Sequence, residues 1–218
     1  MAVIDKRTLA DKVFESLRER ILGGDLASDS PIRQEAIAEE LNVSKIPVRE
    51  ALARLEQEGL VSSHPHRGFI VRALSAEEAQ DVFDLRLKIE PELAGHGAAQ
   101  AEAADHVRAQ TALAALNAEL KAAGPSAGQL NRDFHMALVR PAARPISIQI
   151  LKRLHGLSER YVRVHLGPNG RDERATREHT ELLEAWLAGR SEDVRNAAKA
   201  HIEATLEDLN EQLSVSGR

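Results

Sequence analysis

Three of the five histidines in the C-terminal half of the chain stand in Asn131-Arg132-Asp133-Phe134-His135, Arg177-Glu178-His179 and Ala200-His201-Ile202. Each lies in a stretch with helical spacing, and neutral imidazoles from neighbouring helices can converge on one divalent ion inside a bundle. Asn131 stands one helical turn before His135, so its amide can point to the same centre. A plainer reading stays open: nine histidines in 218 residues also supply three unrelated ones, satisfied by backbone or water. A His-liganded ion with an open position also activates water, which keeps a hydrolase in view. No GxSxG, phosphate-binding glycine loop or evident pair of carboxylates accompanies the histidines, and that argues against it.

A second set of residues suits a different chemistry. Ser44 opens a helix that runs to Gly59, with Pro47 in the first turn, where a missing amide costs no intrahelical bond. Val48, Leu52 and Leu55 form its apolar stripe, and Lys45 and Arg49, four apart, share another face. One side is built to be buried and another to meet phosphates or guanine edges, with the Ser44 hydroxyl and the free first-turn amides beside them. An ordinary solvated surface helix has the same pattern, so periodicity leaves both readings standing.

These elements need a scaffold, and composition bounds it. The chain is 43% hydrophobic and 29% charged, which suffices for one large or two small globular domains. It carries 29 Lys and Arg against 34 Asp and Glu, a net charge of -5, which excludes a chain coated in positive charge but not a local basic patch. Residues 1–74 hold 11 basic and 12 acidic residues, so composition alone gives no support to DNA binding there. The absence of cysteine excludes disulfides, thiolate zinc sites and cysteine nucleophiles. No apolar run reaches secretory or membrane-spanning length, and a cytoplasmic, membrane-free protein is expected. Six aromatic residues amid abundant Ala and Leu favour helices over a large sheet.

The chain is expected to be mostly α. Leu9, Val13, Leu17 and Ile21 mark a first helix that stops at Gly23-Gly24, and a short one through Ala36, Ile37 and Leu41 breaks at Asn42-Val43. After the Ser44 helix, Leu60–Ser63 and Phe69–Arg72 flank the turn His64-Pro65-His66-Arg67-Gly68 and read as a small β-ribbon with a basic tip. Ser75 and Glu78 form a capping box, which places a domain boundary near residue 74. Six helices, or up to seven, then fill residues 75–218 as an antiparallel bundle. The first bends at Pro91, Gly124-Pro125 and Pro141 to Pro145 make breaks, and Gly167-Pro168-Asn169-Gly170 makes another. Between those last two breaks, Ile146, Ile150, Leu154, Leu157, Tyr161 and Val164 predict one apolar stripe. Trp186 is expected in the core.

The order helix, short helix, turn, longer helix and ribbon is that of a winged helix-turn-helix. AIAEELNVSKIPVREALARLEQEGLV followed by HPHRGFIV closely resembles the N-terminal domain of the GntR family of bacterial regulators, over most of residues 8 to 74. That resemblance implies double-stranded operator DNA as partner, a homodimer, and contacts from Arg33, Ser44, Lys45, Pro47 and Arg49, plus Arg67 and Gly68 in the wing. Pro47 sets the helix entry. Lys45 stands where Arg is usual and lacks the bidentate fork suited to guanine. Ile46, where a small hydroxyl residue is common, can meet a thymine methyl or shift the operator preference.

Residues 75–218 resemble the FCD effector domain of the FadR subfamily, with a helix count closer to its VanR-like branch. Asp84 to Glu90, Phe134-His135, Glu178-His179 and His201 fall at its signature positions. The resemblance implies His135, His179 and His201 as ligands of a divalent metal, Zn or Ni, with Asn131 as the fourth where most metal-binding members have Asp. It also implies a cavity for a small carboxylate metabolite. Arg86 is the candidate for its carboxylate, with Tyr161 and Arg163 as lesser ones; an Arg86–Glu90 pair on a solvated face is the plain alternative. The function implied is a ligand-responsive repressor released from its operator by an organic acid. A regulator that senses the metal itself is the alternative.

Overall fold

The computed structural model describes residues 8–166 and 171–216, and the chain divides into two compact units, Met1–Ala73 and Leu74–Arg218. The expected Gly167–Gly170 break lies outside the described residues. In the first unit, α1 (Leu9–Gly23) starts on a reciprocal cap between Thr8 and Asp11 and stops where Gly24 takes φ 85°. It buries Val13, Phe14, Leu17 and Ile21. Next come α2 (Gln34–Glu40) and α3 (Lys45–Gln57), joined by a turn in which Asn42 is left-handed at φ 52°. Val48, Leu52 and Leu55 of α3 close on Leu17 and Val71 to form the core.

The wing has one strand more than the sequence suggests. Strands β2 (Val61–His64) and β3 (Gly68–Val71) pair antiparallel, with Val61 opposite Val71, and β1 (Pro31–Ile32) adds to the other edge of β3. Two residues with a proline among them carry no strand periodicity, so β1 is created by its partner: the Val71 amide donates to Ser30 O and the Asp29 amide to Val71 O.

The second unit is a helical bundle of α4 (Ala76–Gln100), α5 (Ala103–Lys121), α6 (Ala127–Val139), α7 (Pro145–Leu166), α8 (Arg171–Leu187) and α9 (Ser191–Ser216). A 3₁₀ turn at Arg140–Ala142 bridges α6 and α7. Helix α4 packs most extensively on α9 and also meets α6 and α7, so its residues face inward on several sides. Helix α4 continues through Pro91 to Gln100 as one element. Trp186 is fully buried and donates its indole N–H to Leu138 O at 3.0 Å.

The stripe expected on α7 is displaced. Ile146 and Ile150 are exposed, while Leu151, Leu154, His155, Ser158, Glu159, Tyr161 and Val162 are buried; the Val164 side chain lies outside the described residues. The inward face is part polar because it meets the Arg86–Glu90 pair of α4, and an apolar count along the sequence cannot register that face. At the start of α4, Ser75 accepts from the Glu78 amide as expected. The Ser75 amide, assigned above to Glu78, donates to the Tyr161 hydroxyl instead.

Candidate functional site

Helices α6, α8 and α9 bring His135, His179 and His201 together, all three buried. Nε2 of His179 lies 3.1 Å from Nε2 of His201, and the ring centres of His135 stand 5.2 and 5.3 Å from theirs. Periodicity explains the inward aim: on α6, Asn131, Phe134, His135 and Leu138 recur at helical spacing, and all are buried. The Phe134 ring packs edge-on to both His135 and His179.

Carboxylates stand beside the far nitrogens of two of these rings. His135 Nδ1 is 2.7 Å from Glu90 Oε1, and His201 Nδ1 is 2.6 Å from Glu178 Oε2. Each pairing leaves Nε2 as the other donor atom, and His135 Nε2 is buried with no hydrogen-bond partner. Asn131, Arg86, His179 and His201 line, with Phe83 and Val162, a small space of about 10 Å³, the scale of one water or one ion; His135 does not line it, but its ligand atom lies within 4.8 Å of those of His179 and His201. The donors suit a divalent metal: bonds of about 2.0 to 2.1 Å to a tetrahedral ion set neighbouring ligand atoms about 3.4 Å apart, close to the His179–His201 separation. Three imidazoles and the Asn131 amide would hold it, and an orphaned buried imidazole nitrogen is accounted for if it does so.

Arg86 reaches this cavity, but not as a lone guanidinium. Its Nε donates to Glu90 Oε2 at 2.9 Å and its Nη1 to Ser158 Oγ at 3.3 Å, with both Arg86 and Glu90 almost wholly buried. The i, i+4 pair of the plain alternative is formed, but it is buried and not on a solvated face. His155 Nε2 stands 3.2 Å from the same Glu90 oxygen. Burial alone would raise the Glu90 carboxyl; the Arg86 guanidinium, followed by His155 and His135, outweighs it and holds the group well below the usual carboxylate range. Burial, reinforced by Arg86, pushes His155 down to about 4.

Neither lesser candidate lines the cavity. The Tyr161 hydroxyl is occupied by Ser75 and Glu78, and Arg163 donates to Pro125 O at 3.0 Å. Glu90 and His155 are the residues that sequence reasoning missed. Their one available signal was spacing: His155 follows Leu151 by one turn and precedes Glu159 by another, on a face that proves to be buried.

In the first unit, the basic residues divide into two classes. Arg18 pairs with Glu58, Arg20 with Glu40, and Arg54 with Asp11 while lying over the Phe14 ring. Arg33, Arg49 and Arg67 are exposed and make no ion pair among the described residues. Internal pairing therefore consumes acidic charge and leaves free cations near the start of α2, on α3 and at the wing tip, despite the near-zero balance. Lys45, also exposed, is held by Glu35 at 2.6 Å. Ser44 occupies the N-cap of α3 but its hydroxyl makes no capping bond, so it is available to another acceptor or donor. Pro47 is buried in the first turn. Gly68 takes φ 72° and His66 φ 63°, which the tight wing turn requires. Among the described residues, no helix is long and apolar enough to cross a membrane.

Residues 9–71 match the gntR family of bacterial regulatory proteins, and residues 81–204 match the FCD domain. The HTH-type transcriptional regulator BphR of Paraburkholderia xenovorans is 28% identical over 211 residues, covering 94% of this chain and 86% of that protein. The HTH-type transcriptional repressor GlaR of Escherichia coli is 30% identical over 155 residues, 68% of this chain and 70% of that one. Among solved structures, Escherichia coli McbR/YncC superposes with a TM-score of 0.78 at 20% identity, covering 95% of this chain and 99% of that one, a likeness of fold. The FCD match spans more than half of the chain, and the chain accordingly belongs to the GntR family of bacterial regulators as an FCD-domain member: a DNA-binding transcriptional regulator, not an enzyme.

Proposed function

We propose that this regulator is a homodimeric repressor, working on operator DNA in the cytoplasm, whose bundle binds a divalent ion and, with it, a small organic acid that releases the DNA. The observation that carries the effector half is the convergence of His135, His179, His201 and Asn131 beside the Arg86 guanidinium. An ion bound by neutral donors keeps positive charge for a carboxylate, and Arg86 is the adjacent fork for the same ligand. Only a ligand that binds one arrangement of the DNA-reading units better than another can shift the equilibrium between them.

On the DNA side, Arg33, Ser44, Lys45, Arg49, Arg67 and Gly68 are the proposed contacts, with Pro47 fixing the entry of α3. The exposure of three unpaired arginines supports this reading. Lys45 must leave Glu35 to reach a phosphate, a small cost because both partners are more than half exposed.

One observation favours a second reading, in which the ion is itself the signal. The space of about 10 Å³ is on the scale of an ion or a water, so a metal fits it as it stands while an organic acid needs the cavity to widen. Operator binding measured on metal-stripped protein, then with Zn or Ni, then with small carboxylates added, separates the two. Release by the acid only in the presence of metal supports the first reading, and release by metal alone supports the second. Indifference to both removes the effector site.

A further inference from the structure

The proposed donor set around His135, His179 and His201 is electrically neutral. Its fourth member, Asn131, is an amide, so a bound divalent cation in this dry interior needs negative charge from elsewhere. Two carboxylates lie one layer out, each on the nitrogen of a proposed ligand that points away from the shared centre: Glu90 on His135 Nδ1 at 2.7 Å and Glu178 on His201 Nδ1 at 2.6 Å. Glu90 is the more constrained. It is 1% exposed, its Oε2 accepts from Arg86 Nε at 2.9 Å, and its Oε1, which makes no hydrogen bond of good geometry, stands 2.7 Å from His135 Nδ1.

We infer that Glu90 is the positioning residue of the metal site, fixing the proton of His135 on Nδ1 so that Nε2 is the ligand and placing there the negative charge that Asn131 does not supply. A carboxylate on the distal nitrogen of a liganding imidazole sets its tautomer and ring orientation and raises its basicity, which is the role seen for such outer partners at zinc sites. Glu178 does the same for His201. Glu90, His135 and His155 also lie close enough to hold an ion, but Arg86 takes one carboxylate oxygen, Oε2, at 2.9 Å and leaves Oε1 facing His135. The inference rests on the metal reading above, and its test separates the two.

The experiment is a competition for Zn(II) between the whole chain and a chromophoric chelator. Glu90→Gln is expected to weaken binding by about 10- to 100-fold. Asn131→Asp placed on top of Glu90→Gln, which returns a carboxylate to the site, is expected to recover at least about tenfold of that loss. Asn131→Asp alone is the control, because an added carboxylate ligand strengthens binding by itself: a gain in the Glu90→Gln background larger than in the parent marks the two acids as supplying the same charge, and equal gains, which a purely structural Glu90 would give, overturn the inference. Wild-type affinity in Glu90→Gln, or failure of Asn131→Asp to restore it, overturns the inference and leaves the metal reading intact; a wild-type chain that binds no Zn(II) overturns the metal reading. Trp186 fluorescence reports whether each variant is folded. If Glu90→Gln is not, Glu90→Asp, which keeps the charge but withdraws it from His135 by one methylene, is measured instead, and wild-type affinity in that variant overturns the inference.

Discussion

The Tyr161 hydroxyl donates to Glu78 Oε2 at 2.8 Å while accepting from the Ser75 amide at 3.1 Å, so a side chain from α7 completes the cap of α4. The first and fourth helices of the bundle are thereby locked at the point where the bundle begins. Burial, and then the neighbouring Glu78 carboxylate, push the Tyr161 phenol up to about 12 against the opposing Ser75 amide. The folded chain keeps this proton above the pH at which the unfolded chain releases it. The resulting stabilisation is complete below pH 10 and drains away as pH climbs from 10 towards 12. The chain has a single tyrosine, so tyrosinate absorbance reads this group alone. Ionisation is expected near 12 in native protein and near 10 in denaturant; a native midpoint near 10 would refute the assignment. Tyr161→Phe should cost about 1 to 2 kcal/mol in the bundle's unfolding free energy.

Arg49 is exposed and unpaired among the described residues, so its loss should not disturb the first unit. Arg49→Ala is expected to weaken operator binding by at least about tenfold and to reduce the slope of log affinity against log salt by about one. Fluorescence anisotropy at several salt concentrations measures both, and an unchanged slope argues against a phosphate contact.

Glu35 occupies the ammonium of Lys45 in the free protein. Glu35→Gln should therefore raise affinity for duplex DNA, by a few-fold because an exposed pair is worth about 0 to 1 kcal/mol. The gain is expected to vanish when Lys45→Ala is also present. An equal gain without Lys45 would show that the effect is general charge and not release of this side chain.

Gly97 of α4 lies against the last turn of α6: a Cβ built there would clash with Leu138 O, the same oxygen that accepts from Trp186. That oxygen is backbone and cannot swing aside. Gly97→Ala is expected to destabilise the bundle by about 2 to 4 kcal/mol, despite the usual helix preference for alanine. A thermal melt followed by Trp186 fluorescence tests it; a variant as stable as the parent would mean that α4 can slide.

Metal binding to the native bundle alone should stabilise it, by about 2.7 kcal/mol when free metal is a hundred times the dissociation constant. Zn or Ni is expected to raise the melting temperature of the native chain and to leave His135→Ala unchanged. Equal shifts in both proteins would place the ion elsewhere.

The helices were legible where one apolar stripe faced one core. Val13, Leu17 and Ile21 of α1 and Val48, Leu52 and Leu55 of α3 are buried as their spacing predicts. The stripe failed on α7, where Ile146 and Ile150 face out and His155, Ser158 and Glu159 face in, since burial of polar groups depends on partners that lie far off in the chain. The same reason hid Glu90: next to Arg86 at i, i+4 it reads as a surface pair, and only the packing of α6, α7 and α9 around α4 makes it internal. The strand at Pro31–Ile32 was illegible for a related cause, because its hydrogen bonds come wholly from β3.

What the sequence determined by itself is local or carried by motif: the helical spacing, the helix starts at Ser44 and Ser75, the run from Ala36 to Val71 that resembles a winged DNA-reading unit, and three histidines on three helices. Tertiary structure alone decided which charges are spent. Asp11, Glu40 and Glu58 are consumed by internal arginines while Arg33, Arg49 and Arg67 stay free, and Glu90 is turned from a surface acid into the buried partner of His135. Electrostatic energy depends on distance and dielectric, and neither quantity exists until the chain has brought remote residues together and excluded water from between them.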